Sequence, residues 1–75
     1  MNELSLENIQ CSLIDIGYNE KQINSFMKYY KNHDYIHMMQ LLRLQRYDLL
    51  AQVHQEQKKI DRVDYLLFIL KKEHV

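Results

Sequence analysis

Two histidines, His33 and His37, have the spacing in this chain that most suggests a metal site. On a helix, residues four apart share a face, so their imidazoles can reach one divalent ion. Asp34 is the only further ligand beside them, and it suits another role, as the N-cap of a following helix. His33 would then lie before that helix, and the two imidazoles need not share a face. We expect a solvated helix start here and assign no metal ligands.

No other group of residues has a spacing that predicts catalysis. The single cysteine, Cys11, excludes an intrachain disulfide and suits helix packing better than redox chemistry. With one glycine there is no glycine-rich phosphate loop, and no nucleophile has an oriented base. Four tyrosines, at positions 29, 30, 35 and 47, could line a small pocket, although packing is their default use. The sequence predicts neither catalytic residues nor a cofactor. We therefore expect that the protein is not an enzyme.

Composition narrows the possible partners. Ten basic and ten acidic residues give zero net charge, so no basic face for nucleic acid is expected. The longest apolar run, residues 66–70, is far shorter than the roughly 20 residues that cross a membrane. Residues 1–5 lack the basic start and apolar core of a secretory signal. We therefore expect a soluble, cytoplasmic protein that binds neither membranes nor specific nucleic acid.

Helix start and stop signals divide the chain into three predicted helices within a single domain, residues 1–75. Ser5 is the expected N-cap of the first helix, which ends at Gly17 in a left-handed conformation. Asn19 and Gln22 have the spacing of a capping box for the second helix, and Asp34 caps the third. The fold class predicted is all-α: a short αα-hairpin over residues 5–33, then one long helix over residues 34–73.

The long helix carries a heptad seam, which we define as the ten positions that recur every three or four residues. Its members are Met39, Leu42, Arg46, Leu49, Val53, Glu56, Ile60, Val63, Leu67 and Leu70. Eight of these ten are apolar, a pattern typical of a coiled coil. A helix on the order of 60 Å long is too long for two short helices to cover. The seam is therefore expected to be the interface of an antiparallel coiled-coil homodimer, with Arg46 of one chain facing Glu56 of the other.

Two segments of the chain resemble the dimerisation half of MerR-family transcription regulators. Residues 13–23, LIDIGYNEKQI, are similar to the family's LxxLGF/Y-S-xxEI pattern, which forms a helix, a turn and a second helix. Residues 41–50, followed by 60–65, resemble the family's long dimerisation helix. The resemblance spans about residues 9–72 and implies a dimerisation unit. The family's winged helix-turn-helix precedes this region and has no counterpart here, so operator binding is not carried over.

Three functional interpretations follow. The first is a dimerisation module in transcriptional control that does not touch DNA, forming homodimers or mixed dimers with a full-length MerR-like regulator. The second is a homodimeric adaptor whose helical hairpin docks an unrelated protein. The third is a small-ligand or metal sensor. The sequence favours the first and leaves the other two open.

Overall fold

The computed structural model of the protein describes residues 6–54 and 56–74, and every regular element in these two segments is an α-helix. The helices are α1 (Leu6–Asp15), α2 (Glu20–Lys31), α3 (Tyr35–Ala51) and α4 (Gln57–His74). The predicted all-α fold class is confirmed for this part of the chain. The first two helices also fall inside the range predicted for the two short ones.

The prediction of one uninterrupted helix over residues 34–73 is wrong. The chain leaves the helix after Ala51, where Gln52 adopts an extended conformation with φ −72° and ψ 146°. A new helix begins at Gln57. Folding back lets the apolar faces of α3 and α4 cover each other within one chain. Heptad spacing shows that two helices pack together, but it does not show whether they belong to one chain or two.

The four helices pack in a closed ring. α3 packs on α2 and α4, α1 packs on the same two helices, and the pair α3 and α4 shares the most extensive contact. The longest dimension is 34 Å, about half the ~60 Å expected of an uninterrupted third helix. The expectation that the seam is too long to be covered within one chain is therefore wrong.

One hydrophobic core fills the centre of the ring, and each helix contributes to it. Among the described residues fifteen apolar ones are buried, and α4 supplies five of them, so the core depends on α4 remaining in place. The buried residues are Ile9, Leu13, Ile16, Tyr18, Phe26, Met27, Met38, Met39, Leu42, Leu49, Ile60, Val63, Leu66, Ile69 and Leu70.

The turn between α1 and α2 is a Schellman motif, as predicted. Gly17 has φ 93°, a left-handed conformation that glycine adopts without steric cost. The amide of Tyr18 donates to the carbonyl of Leu13 at 3.1 Å, and the amide of Gly17 donates to that of Ile14 at 3.0 Å. This turn brings Tyr18 back onto the bundle, where it is buried.

The predicted caps of α2 and α3 are confirmed. The Asn19 side chain accepts from the Gln22 amide at 2.8 Å, and the Gln22 side chain accepts from the Asn19 amide at 2.9 Å. Asp34 caps α3 by accepting from the His37 amide at 3.2 Å. The predicted cap at Ser5 lies outside the described residues. These local contacts fix where α2 and α3 begin.

Candidate interaction surface

Most of the heptad seam is buried inside the monomer. Six of its ten residues are at most 6 % exposed, and Leu67 packs against the same core. In this closed form these seven side chains are not available to a second copy of the chain. The predicted homodimer stays a prediction, but it needs either another surface or an opened chain. The six are Met39, Leu42, Leu49, Ile60, Val63 and Leu70.

The remaining three seam residues are paired within the chain or exposed, and the pairing of Arg46 with Glu56 between two copies stays a prediction. Arg46 donates from Nε to Asp64 Oδ1 at 2.7 Å, which ties the middle of α3 to the middle of α4. Glu56 pairs with Lys59, with 2.9 Å between Oε2 and Nζ. Val53 is 93 % exposed in the connection between α3 and α4. The fold-back accounts for the change, because it brings Asp64 rather than Glu56 level with Arg46.

Large apolar side chains remain exposed on the side of α3 that faces away from the core. At about 100° per residue, four of them fall within an arc of roughly 120°. We call these four, Ile36, Leu44, Tyr47 and Leu50, the α3 outer face; they are 51, 63, 72 and 38 % exposed. This surface was not predicted, because a single apolar stripe was expected on this helix. Leu44 and Tyr47 could have indicated it, since they are large apolar residues that lie between seam positions.

A groove of about 350 Å³ runs between α2 and α3 and adjoins the outer face. Leu44 belongs to both, so the two form one continuous surface. Leu41 and Leu44 supply apolar lining, while Lys21 and Asp48 bring charges of opposite sign. An apolar surface with a few polar groups is the usual composition of a binding site. The complete lining is Tyr18, Lys21, Gln22, Ser25, Leu41, Leu44, Gln45 and Asp48.

A hydrogen bond from α3 holds the α1–α2 turn at this groove. Gln45 donates from Nε2 to the carbonyl oxygen of Ile16 at 2.7 Å. A Cβ at Gly17 would lie 3.6 Å from Gln45 Nε2 and from Lys59 Nζ, which is ordinary contact. The backbone conformation, rather than space, therefore requires glycine at this position. This turn positions Tyr18 at the groove, with 6.4 Å between the ring centroids of Tyr18 and Phe26.

Tyr18 is the titratable group most affected by the fold around the groove. Burial, and then the negative charge of Asp48, raise the pKa of Tyr18 from 10.0 to about 12. Both effects disfavour the phenolate. The phenol is therefore neutral at physiological pH, and the groove presents it as a hydrogen-bond donor or acceptor.

His33 lies in the turn between α2 and α3, and His37 lies in the first turn of α3. His33 has φ 55° and lies before α3, and its ring is 6.4 Å from that of Tyr35. The Nδ1 atom of His37 lies 2.6 Å from Oδ2 of Asp34. The imidazole ring of His37 stacks on the ring of Tyr29, with 4.9 Å between the ring centroids. Within the described residues, no group of three His, Cys, Asp or Glu side chains is placed to hold a metal ion. The contacts made by Asp34 and His37 order the start of α3.

Cys11 is exposed on the opposite side of the bundle, where α1 packs on α4. It lines a cavity of about 480 Å³ together with Arg62 and Tyr65. The Cys11 side chain is therefore accessible to solvent and does not belong to the hydrophobic core.

No helix in the described part of the chain is long and apolar enough to cross a membrane. No protein-family model, curated protein or solved structure matches the chain. The resemblance to the dimerisation half of MerR-family regulators therefore stays a prediction.

Proposed function

We propose that this protein is a protein-association module rather than an enzyme, and that it binds an amphipathic helix of a partner along α3. The observation that carries the proposal is the α3 outer face, four large apolar side chains on one side of a single helix. Exposed Gln40 and Arg43 lie within the same arc, so the apolar part of the face is centred on Leu44, Tyr47 and Leu50. Exposed apolar surface bordered by polar groups is typical of interaction sites. A helix laid along such a surface contacts residues at three- and four-residue intervals, as Leu44, Tyr47 and Leu50 are spaced, while Ile36 lies eight residues before Leu44.

The exposed fractions set the strength of the interaction. Complete burial of one large apolar side chain contributes about 1.5–3 kcal/mol. The exposed parts of the four side chains together correspond to on the order of 3–6 kcal/mol, before the cost of association is subtracted. These residues alone therefore support only a transient complex, with a Kd no lower than on the order of tens of micromolar, and further contacts must supply any tighter binding. Contacts with Tyr18, Lys21 and Asp48 in the groove add orientation, since each can pair with a polar group of the partner.

A regulator of the MerR type is the partner that the sequence favours. Support comes from residues 13–23, because the helix, turn and helix expected of that motif correspond to α1, the Gly17 turn and α2. Such a regulator would supply its long dimerisation helix, and the mixed assembly would have one DNA-reading arm instead of two. Zero net charge agrees with action through protein contacts rather than through DNA.

Site-specific photo-crosslinking in the native cell tests the proposal. A photoreactive phenylalanine analogue replaces Tyr47 in one strain and Lys58 in a control strain; both positions are exposed, and Lys58 lies on α4. We expect crosslinks from position 47 to a helix of one partner, and their loss when Leu44→Glu is added. A DNA-binding partner supports the mixed assembly, and any other helix supports the adaptor role. Equal crosslinking at both positions would contradict the proposal.

A further inference from the structure

We infer that α4 can exchange between two copies of this chain, with residues 52–56 acting as the connector that straightens. In the closed monomer, α4 packs on its own α3. In the exchanged dimer, α3, connector and α4 form one helix, and each α4 packs on the α3 of the second copy. This inference goes beyond the proposed function, because it uses the core and the connector rather than the α3 outer face.

The sequence of the connector is suited to helix. Residues 51–58 read Ala-Gln-Val-His-Gln-Glu-Gln-Lys and contain no Gly, Pro, Asn, Asp or Ser. Within the connector itself, glutamine and glutamate are good helix formers, and valine and histidine are intermediate. The residues that favour turns are missing. The other two turns differ, since Gly17 and Asn19 form the first, and Asn32 and Asp34 the second.

The local contacts that end α3 are weak. Those at the start of α4, between Glu56 and Lys59 and between Gln57 and Asp61, have three- and four-residue spacing and would form equally in a continuous helix. The amide of Gln52 reaches the carbonyl of Leu49 only at 3.4 Å, and Gln52 is in an extended conformation that any residue adopts. Glu56 occupies the N-cap position of α4, because its carbonyl accepts from the amide of Ile60 at 3.2 Å. Glutamate is not among the residues favoured at an N-cap. The break therefore depends on the packing of α4 in the core and not on its own sequence.

An exposed valine gives the straightened form a contact that the monomer lacks. Val53 is 93 % exposed in the connector. In a continuous helix it would join Leu49, Glu56 and Ile60 in one stripe, at spacings of four, three and four. The register that Arg46 and Asp64 define in the hairpin would place Val53 of one copy beside Glu56 of the second.

The core contacts are the same in both forms, because each α4 moves from one α3 to an identical one. The balance therefore lies in the connector: helix formation and burial of Val53 favour exchange, and the Glu56 carboxylate on the seam opposes it. Exchange requires α4 to leave the core, with Ile60, Val63, Leu66, Ile69 and Leu70. Monomer and dimer should consequently interconvert slowly enough to be separated by size-exclusion chromatography.

Connector variants of the full chain test this inference. Glu56→Leu removes the opposing charge and is expected to raise the dimer fraction, with the association constant increased about 10-fold or more. Val53→Pro is compatible with the extended Gln52 before it but not with a helix interior. It should lower the association constant at least about 100-fold, whereas Val53→Ala, a helix-compatible control, should have a smaller effect. Circular dichroism checks that each variant folds.

A distance measurement separates exchange from docking of two closed monomers. Spin labels are attached at Gln40→Cys and Lys72→Cys in a Cys11→Ser background, and the labelled chain is diluted into unlabelled chain. The intrachain distance is expected to be roughly 10–20 Å in the monomer, where α3 and α4 are adjacent, and about 48 Å in the exchanged dimer. A dimer that keeps the short distance would overturn the inference, as would the absence of any dimer from both wild type and Glu56→Leu. Loss of partner crosslinking at position 47 would leave this result unaffected.

Discussion

The raised pKa of Tyr18 predicts a loss of stability at alkaline pH that a single substitution should remove. The pKa is about 12 in the folded protein against 10.0 for an unperturbed tyrosine. Above pH 10 the unfolded chain therefore loses this proton more readily than the folded one. The stability that depends on the neutral phenol is complete below pH 10 and declines as the pH rises towards 12.

The size of the effect follows from the same two values. At about pH 11, the full difference in pKa corresponds to a reduction of about 1.4 kcal/mol in the free energy of unfolding. Tyr18 lines an open groove, and solvent there screens part of the interaction with Asp48. We therefore expect a reduction on the order of 1 kcal/mol between about pH 9 and pH 11.

Urea unfolding of wild type and Tyr18→Phe at several pH values between about 9 and 11 provides the measurement. The wild type should lose about 1 kcal/mol more than the variant over this interval. Asp48→Asn should retain most of the loss, because burial contributes more to the raised pKa than the charge of Asp48 does. If wild type and Tyr18→Phe lose stability in parallel, the phenol is not buried at the groove as described.

Three further predictions concern stability and use urea unfolding. Leu42→Ala should cost about 2–5 kcal/mol because Leu42 is fully buried, whereas Leu44→Ala on the outer face should cost less than about 1 kcal/mol. His33→Gly should stabilise by roughly 0.5–1 kcal/mol, since His33 has φ 55°. A double-mutant cycle on Arg46 and Asp64 should give about 0.2–1 kcal/mol of coupling that falls with added salt; zero coupling would mean that this exposed pair does not stabilise the packing of α3 on α4.

The short-range features of this protein are predictable from its sequence. The Gly17 turn and the caps formed by Asn19 and Asp34 involve residues no more than five positions apart. Such contacts depend on side-chain chemistry and backbone conformation within one segment, so residue types at fixed spacing reveal them. The helical class follows for a similar reason, since one glycine and no proline leave few places where a helix must end.

The candidate surface could be predicted only in part. The seam residues were recognised as a packing face, because apolar residues at heptad spacing must bury one side of a helix. The surface that packs against them was not predicted, because a helix of a second chain and a second helix of the same chain satisfy that spacing equally. The α3 outer face depends on which side of α3 the core leaves exposed, and the position of Tyr18 depends on a hydrogen bond from Gln45 to Ile16, which are 29 residues apart.

The separation of α3 from α4 is a consequence of tertiary packing and is not predictable from local sequence. Nothing between Ala51 and Gln57 requires a break, because the residues there are compatible with helix. The break exists because the fold-back buries Ile60, Val63 and Leu70 in the same core as α3. That gain in buried apolar surface outweighs the few helical hydrogen bonds lost in the connector. The gain comes from contacts between distant residues, so the sequence of the connector alone does not indicate it.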